Sequence, residues 1–268
     1  MKTILMTNAF IKDFTGSEID TVTIANYFVK NGYCVDIFTL EKGYPLLESV
    51  DAKIRVINYP ENELLLKEYD YIWAHHYFLL DYILFDKKIK AKYIHYISLS
   101  AYANYEAFPD YYKQLSLVST LSYEAKEQNI LEGYEANYLN IFPNYVMQSQ
   151  LDVNYITKSK IKNICIVSNH VPDELENIKD LFIQYGINVD IYGKNHVYKL
   201  ITAKLLSQYE VVISIGKTIN LSLSLGIPCY IYDHFGGDGY INKKMLKSHL
   251  ILIFQDVIKE INILVKNW

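Results

Sequence analysis

Cysteine is scarce in this 268-residue chain: Cys34, Cys165 and Cys229 stand far apart, with no CxxC pair. That excludes a disulfide framework and a thiolate metal cage, and it fits small core residues in a reducing compartment. An excess of positive charge is also lacking. Lys and Arg number 26 against 30 Asp and Glu, a formal net charge of −4, so a nucleic-acid protein held by bulk charge is excluded. No run of about 18 apolar residues is free of charge, so no spanning helix is expected. The opening MKTILMTNAF is too short in apolar residues for a signal peptide. No GxSxG elbow and no GxGxxG turn occur, which leaves a hydrolase triad and a nicotinamide site unsupported.

What is present points to a folded protein. At 51% hydrophobic and 21% charged, the chain can bury a core, and its length predicts about two domains. The 26 tyrosines accompany abundant Lys, Ile and Asn. We read them as a coding bias and not as a sugar-lined groove.

Short apolar runs alternate with helical periods. Strands are expected at Ile4–Met6, Tyr33–Leu40, Ile54–Asn58, Tyr69–Ala74, Lys92–Ile97, Leu115–Thr120 and Asn137–Ile141. The helix after Thr15-Gly16-Ser17-Glu18 takes Ser17 as its N-cap and Gly32 as its stop. Met147–Lys162 is polar and aperiodic and reads as a linker. Strands follow at Ile164–Val167, Val189–Tyr192, Val211–Ile215 and Pro228–Tyr232. Helices lie between them at Pro172–Tyr185, within Gly193–Tyr209 and at Thr218–Leu225, and a helical tail runs from Lys243. This predicts two α/β domains, 1–150 and 151–268, each a Rossmann-like parallel sheet with right-handed crossovers. Ligands then belong at the C-terminal strand ends, with the cleft between the domains as the expected site.

Five segments at such ends could carry chemistry. Gly16-Ser17-Glu18 opens a helix whose free N–H groups attract an anion. His75-His76 closes a strand; imidazole can bond a hydroxyl or phosphate or act as a base. Only one of the two should face the cleft, because neighbours on a strand alternate. Ser168-Asn169-His170 follows the first strand of the second half. Gly216-Lys217-Thr218 resembles the tail of a P-loop, but Val211 stands where the first Gly belongs. A Gly turn, an ammonium and a helix start remain, and these can hold a diphosphate. Asp233-His234-Phe235-Gly236-Gly237 combines a carboxylate, an imidazole, an aromatic ring and glycines. No third ligand is suitably spaced for a metal.

Together these pieces resemble GT-B glycosyltransferases, in particular the retaining family of bacterial polysaccharide and lipid-glycan enzymes. Thr15–Glu18 with TVTIANYFVKNGYCVDIFTL resembles its GG-x-E turn and the segment that follows. YDYIWAHH resembles its D-(hydrophobic)-(hydrophobic)-H-x-H strand. LVSTLSYEAKE resembles its "vSe…k" segment, and Phe142-Pro143-Asn144 resembles "IPN" before the linker. VVISIGKTINLSLSLGIPCYIYD resembles its EA-x-x-x-G-(hydrophobic)-P-V segment. Two departures stand out. Leu221 occupies the position of the Glu that holds the donor ribose, and Ser168-Asn169-His170 replaces the usual Arg and Lys.

The resemblance implies sugar transfer from a nucleotide diphosphate donor to a glycan or lipid-linked acceptor, in the cytoplasm, without a cofactor or metal. The first domain would serve the acceptor and the second the donor. His75, His76, Asp233 and His234 would be catalytic. Gly16, Ser17, Ser168, Asn169, His170, Gly193, Gly216, Lys217, Thr218, Phe235, Gly236 and Gly237 would bind the donor. A lipid-linked acceptor implies contact with the membrane face, for which Tyr240–Lys247 offers lysines. The alternatives are a nucleotide-sugar epimerase and a non-catalytic nucleotide-sugar-binding or partner protein of the same fold.

Overall fold

The computed structural model describes residues 1–60, 65–147, 150–151, 153–156, 160–234, 236–241 and 252–253. They form two compact units, Met1–Pro143 and Asn144–Trp268.

The first unit is built on seven strands: β1 (Thr3–Thr7), β2 (Cys34–Thr39), β3 (Arg55–Asn58), β4 (Glu68–Ala74), β5 (Lys90–Ser98), β6 (Leu117–Thr120) and β7 (Leu139–Ile141). Their order is β3-β2-β1-β4-β5-β6-β7, and every pairing is parallel. Runs such as Ile4-Leu5-Met6 and Leu117-Val118 are buried along their length, as strands covered on both faces must be. The sheet order reverses between β1 and β4, and the chain leaving each strand meets there.

Helix α1 (Gly16–Lys30) follows β1 and buries Val22, Ile24, Ala25 and Val29, and the shorter helices α2 (Tyr77–Asp81) and α3 (Tyr123–Leu131) follow β4 and β6. Its N-cap is Thr15, with extended backbone, and not Ser17. The reason lies in Glu18. Its Oε1 accepts from the Thr15 hydroxyl (2.9 Å), and its Oε2 accepts from the N–H groups of Lys12 (2.6 Å) and Asp13 (2.8 Å). The carboxylate thus ties the loop to the first turn and leaves Ser17 inside the helix.

The second unit has strands β8 (Tyr145–Val146), β9 (Asn163–Val167), β10 (Asn188–Tyr192), β11 (Val211–Ser214), β12 (Cys229–Asp233), β13 (Gly236–Tyr240) and β14 (Leu252–Ile253). Five of them form a sheet in the order β10-β9-β11-β12-β13. It is parallel except for β13, which returns antiparallel against β12. Its switch point lies between β9 and β11. One face buries Val212, Leu206 and Tyr209 under helices α5 (Ala203–Leu206) and α6 (Gly216–Ser224); the other buries Ile166, Val189 and Val211 with Leu175 of helix α4 (Asp173–Gln184).

Several expectations need correction. Leu151, Val153 and Tyr155, inside the expected linker, pack on the second core beside Val146. The helix within Gly193–Tyr209 is only four residues long. Leu252–Ile253, expected in a helical tail, is a short strand paired with β8; the rest of that tail lies outside the described residues. Cys34 is exposed, whereas Cys165 and Cys229 are buried. Among the described residues no helix is long and apolar enough to cross a membrane.

Candidate functional site

The second unit gathers most of the sequence candidates at the C-terminal edge of one sheet. Ser168-Asn169-His170 leaves β9, Gly193 leaves β10, Gly216 opens α6 just after β11, and Asp233-His234 closes β12. The loops are physically joined. Gly193 is buried with φ of +156°, and a Cβ there would lie 1.8 Å from the Ser168 carbonyl oxygen. Only glycine permits that approach. The Ser168 amide donates to the Tyr192 carbonyl (3.0 Å), and Ser168 Oγ accepts from the His170 amide (3.1 Å). This turn carries His170 towards β12, where its ring meets His234 edge-on with centroids 5.1 Å apart. Strands β9 and β12 flank β11, so the two imidazoles meet across the strand that feeds α6.

Three electrostatic features mark this edge. Helix α6 begins at Gly216, with φ of +57°, and its N-cap Ile215 offers no side-chain acceptor; the first turn of such a helix is where an anion can be bound. Asp233 is buried, and its Oδ2 lies 3.4 Å from His234 Nδ1. The exposed His234 ring is thereby held by its Nδ1 side. Lys217 is half-buried, with Nζ 4.6 Å from the centroid of the Tyr145 ring. Loss of hydration pushes its pKa down to about 7.

Gly236 and Gly237, expected in an open ligand loop, belong to a hairpin. Gly236 pairs with Asp233, and a Cβ on Gly237 would sit 2.0 Å from the Ile231 carbonyl oxygen. Close packing of β13 on a bulged β12 accounts for Gly237, and a φ of +85° with open space around it accounts for Gly236. Phe235 lies outside the described residues. Asn169 and Thr218 stand on the site's loop and first helical turn, both half-buried.

In the first unit the two histidines are turned inward. His75 is fully buried. Its Nδ1 lies 3.0 Å from the Ile97 carbonyl, and burial pushes its pKa down to about 4. It cannot meet a substrate and is corrected to a structural residue. His76 has φ of +62°, a strained value for a side-chain-bearing residue. Both its nitrogens are engaged: Nδ1 accepts from the Ala9 amide (3.2 Å), and Nε2 faces Glu106 Oε1 at 3.2 Å. The buried Glu106 also accepts the Leu99 amide through Oε2 (3.1 Å). His76 therefore clamps the loops that follow β1, β4 and β5 and has no free nitrogen to act as a base. Glu106 was not foreseen. A lone acid in the tyrosine-rich run AYANYEAFP offers no spacing signal. Gly16 is exposed with open space at its α-carbon, so close ligand approach does not explain it. Ser17 contributes its carbonyl to Asn8 Nδ2 (3.1 Å).

No protein-family model matches the chain, and no curated protein matches it. Solved structures do. S. aureus TarM, in a complex with fondaparinux, alpha-GlcNAc-glycerol and UDP, aligns with a TM-score of 0.58 at 10% identity, over 99% of this chain and 93% of that one. Anabaena HepE, with UDP and glucose, gives 0.57 at 13%, over 86% and 80%. The fold is GT-B-like. The UDP-GlcNAc 2-epimerase of Neisseria meningitidis, bound to UDP-GlcNAc, shares it at 0.53 and 14%, over 98% and 91%.

Proposed function

We propose that this chain is a glycosyltransferase that moves a sugar from a nucleotide diphosphate donor to a hydroxyl of a glycan or lipid-linked acceptor. The observation that carries this reading is the convergence of Ser168–His170, Gly193, the α6 start and Asp233-His234 on one sheet edge at its switch point. Such an edge suits a nucleotide diphosphate. The similar folds of HepE and TarM, whose structures hold UDP, support it.

In this reading the second unit holds the donor and the first serves the acceptor. The bond between the anomeric carbon and the diphosphate oxygen breaks, the nucleoside diphosphate departs, and the acceptor oxygen bonds the same carbon while losing its proton. Charge that develops on the leaving diphosphate is met by the α6 N–H dipoles and by Lys217, so the reading needs no metal. The lowered Lys217 pKa fits this role, because an arriving dianion draws the proton back onto Nζ. His234, beside the buried Asp233 carboxylate on the same sheet edge, is the candidate to take the acceptor proton.

Isothermal titration of UDP and related nucleotides tests the site. Lys217→Ala should weaken diphosphate binding about tenfold, the loss of one charge-assisted contact, with unchanged thermal unfolding, whereas His234→Gln should leave UDP affinity in place and lower turnover with acceptor. Unchanged affinity in a folded Lys217→Ala variant would overturn the diphosphate assignment. The epimerase likeness supports a second reading, in which the donor alone is converted. Product analysis without acceptor separates the two: an altered nucleotide sugar favours epimerisation, and turnover only with acceptor favours transfer.

A further inference from the structure

Beneath the C-terminal edge of the first sheet, three aromatic side chains bury ring nitrogens that no group among the described residues satisfies: Trp73 Nε1, His75 Nε2 and His95 Nδ1. All three residues are at least nine-tenths buried, at 6%, 0% and 8% exposure. They share one face of the sheet. Trp73 and His75 lie two residues apart along β4 and its continuation, and Trp73 is the register partner of His95 on β5. The Trp73 and His95 rings are 4.9 Å apart, and His75 is close enough to disfavour a charge on His95. Phe142 closes the group, with its ring 5.2 Å from Trp73 and 5.7 Å from His95.

The protonation states follow from the neighbours. The Ile97 carbonyl can only accept, so His75 carries its proton on Nδ1 and offers Nε2 as an acceptor. His95 Nε2 is 2.8 Å from Ser119 Oγ, and Trp73 Nε1 can only donate. One donor, one acceptor and one nitrogen of either kind thus lie on the same face of adjacent strands. Leaving three such atoms unpaired in an apolar interior is costly, and a water with two to four polar partners removes that cost. We propose that Trp73, His75 and His95 form an internal binding site for a single water molecule.

The test is a high-resolution crystal structure of the full chain, joined to NMR of a Trp268→Phe variant, which leaves Trp73 as the sole indole. The expected result is one density peak within hydrogen-bond distance of at least two of the three nitrogens. A persistent cross-peak between water and the Trp73 indole proton should accompany it, with His75 in the Nδ1–H tautomer. Trp73→Phe should then lower the occupancy of that peak. A direct contact between the indole and an imidazole nitrogen, or absent density and absent cross-peak, would overturn the proposal.

Discussion

Acidification from pH 7 to pH 5 should destabilise the first unit sharply, through His75 and His95. Burial lowers both folded pKa values, to about 4 and about 3, from an ordinary 6.5. The sign follows from proton counts. Well above pH 6.5 neither the folded nor the unfolded chain binds these protons, and stability is at its full value. Below 6.5 the unfolded chain takes them up and the folded chain does not, until pH nears 4. At pH 5 each group therefore costs about 2 kcal/mol, so the pair removes just under about 4 kcal/mol relative to pH 7. That is a large share of the ~5–15 kcal/mol of an ordinary domain. Asp70, held down to about 2 by Lys92 and Thr3, stays charged throughout this window. Urea unfolding of the Trp268→Phe protein, read by Trp73 fluorescence, measures the effect where it arises. The slope near pH 5 should be about 2.7 kcal/mol per pH unit, and His95→Gln should halve it. A flat profile between pH 7 and pH 5, or an unchanged slope in the variant, would refute the burial argument.

Two further substitutions probe the scaffold. Gly193→Ala forces a Cβ against the Ser168 carbonyl and should cost about 2–4 kcal/mol, seen as a lower unfolding midpoint of the second unit and weakened nucleotide binding. Glu18→Ala frees two loop amides and a hydroxyl; it should cost about 2 kcal/mol in urea titration and speed amide exchange at Lys12 and Asp13.

The alternation of strands and helices was legible because parallel strands buried on both faces read as short β-branched runs; Val211–Ser214 is an example. The position of the polar loops in the second unit was legible for the same reason, since each polar residue that ends such a run sits where a sheet edge must be. Burial was not legible. His75 looks like the polar end of the strand Tyr69–Ala74, yet its backbone stays paired to Thr7 and its ring turns under Ile97. Nothing local distinguishes such a histidine from an exposed one. The hairpin of β13 was missed because GGDGY has the composition of a loop, and only the antiparallel partner Tyr230–Asp233 makes it a strand. Leu151, Val153 and Tyr155 were read as linker because their packing partners, Val146 and Tyr209, are distant or lack a shared period.

Leu221 settles how far the family pattern can be carried into this chain. Its position matches the glutamate that holds the donor ribose in the family the sequence resembles. Here it is 6% exposed and packs in the core beside Val146, Tyr192 and Leu206. A carboxylate at that position would point into hydrocarbon and not at a ribose. Leu221→Glu should therefore cost about 3 kcal/mol or more, as an unpaired buried charge does, and it should not tighten nucleotide binding. If the variant instead stays folded and binds UDP more strongly, Leu221 must reach the ligand edge, and the placement of α6 described above is wrong. If it unfolds as expected, the ribose of any bound nucleotide must find its partner on another element, and the polar residues that follow β9 and β12 are the ones at hand.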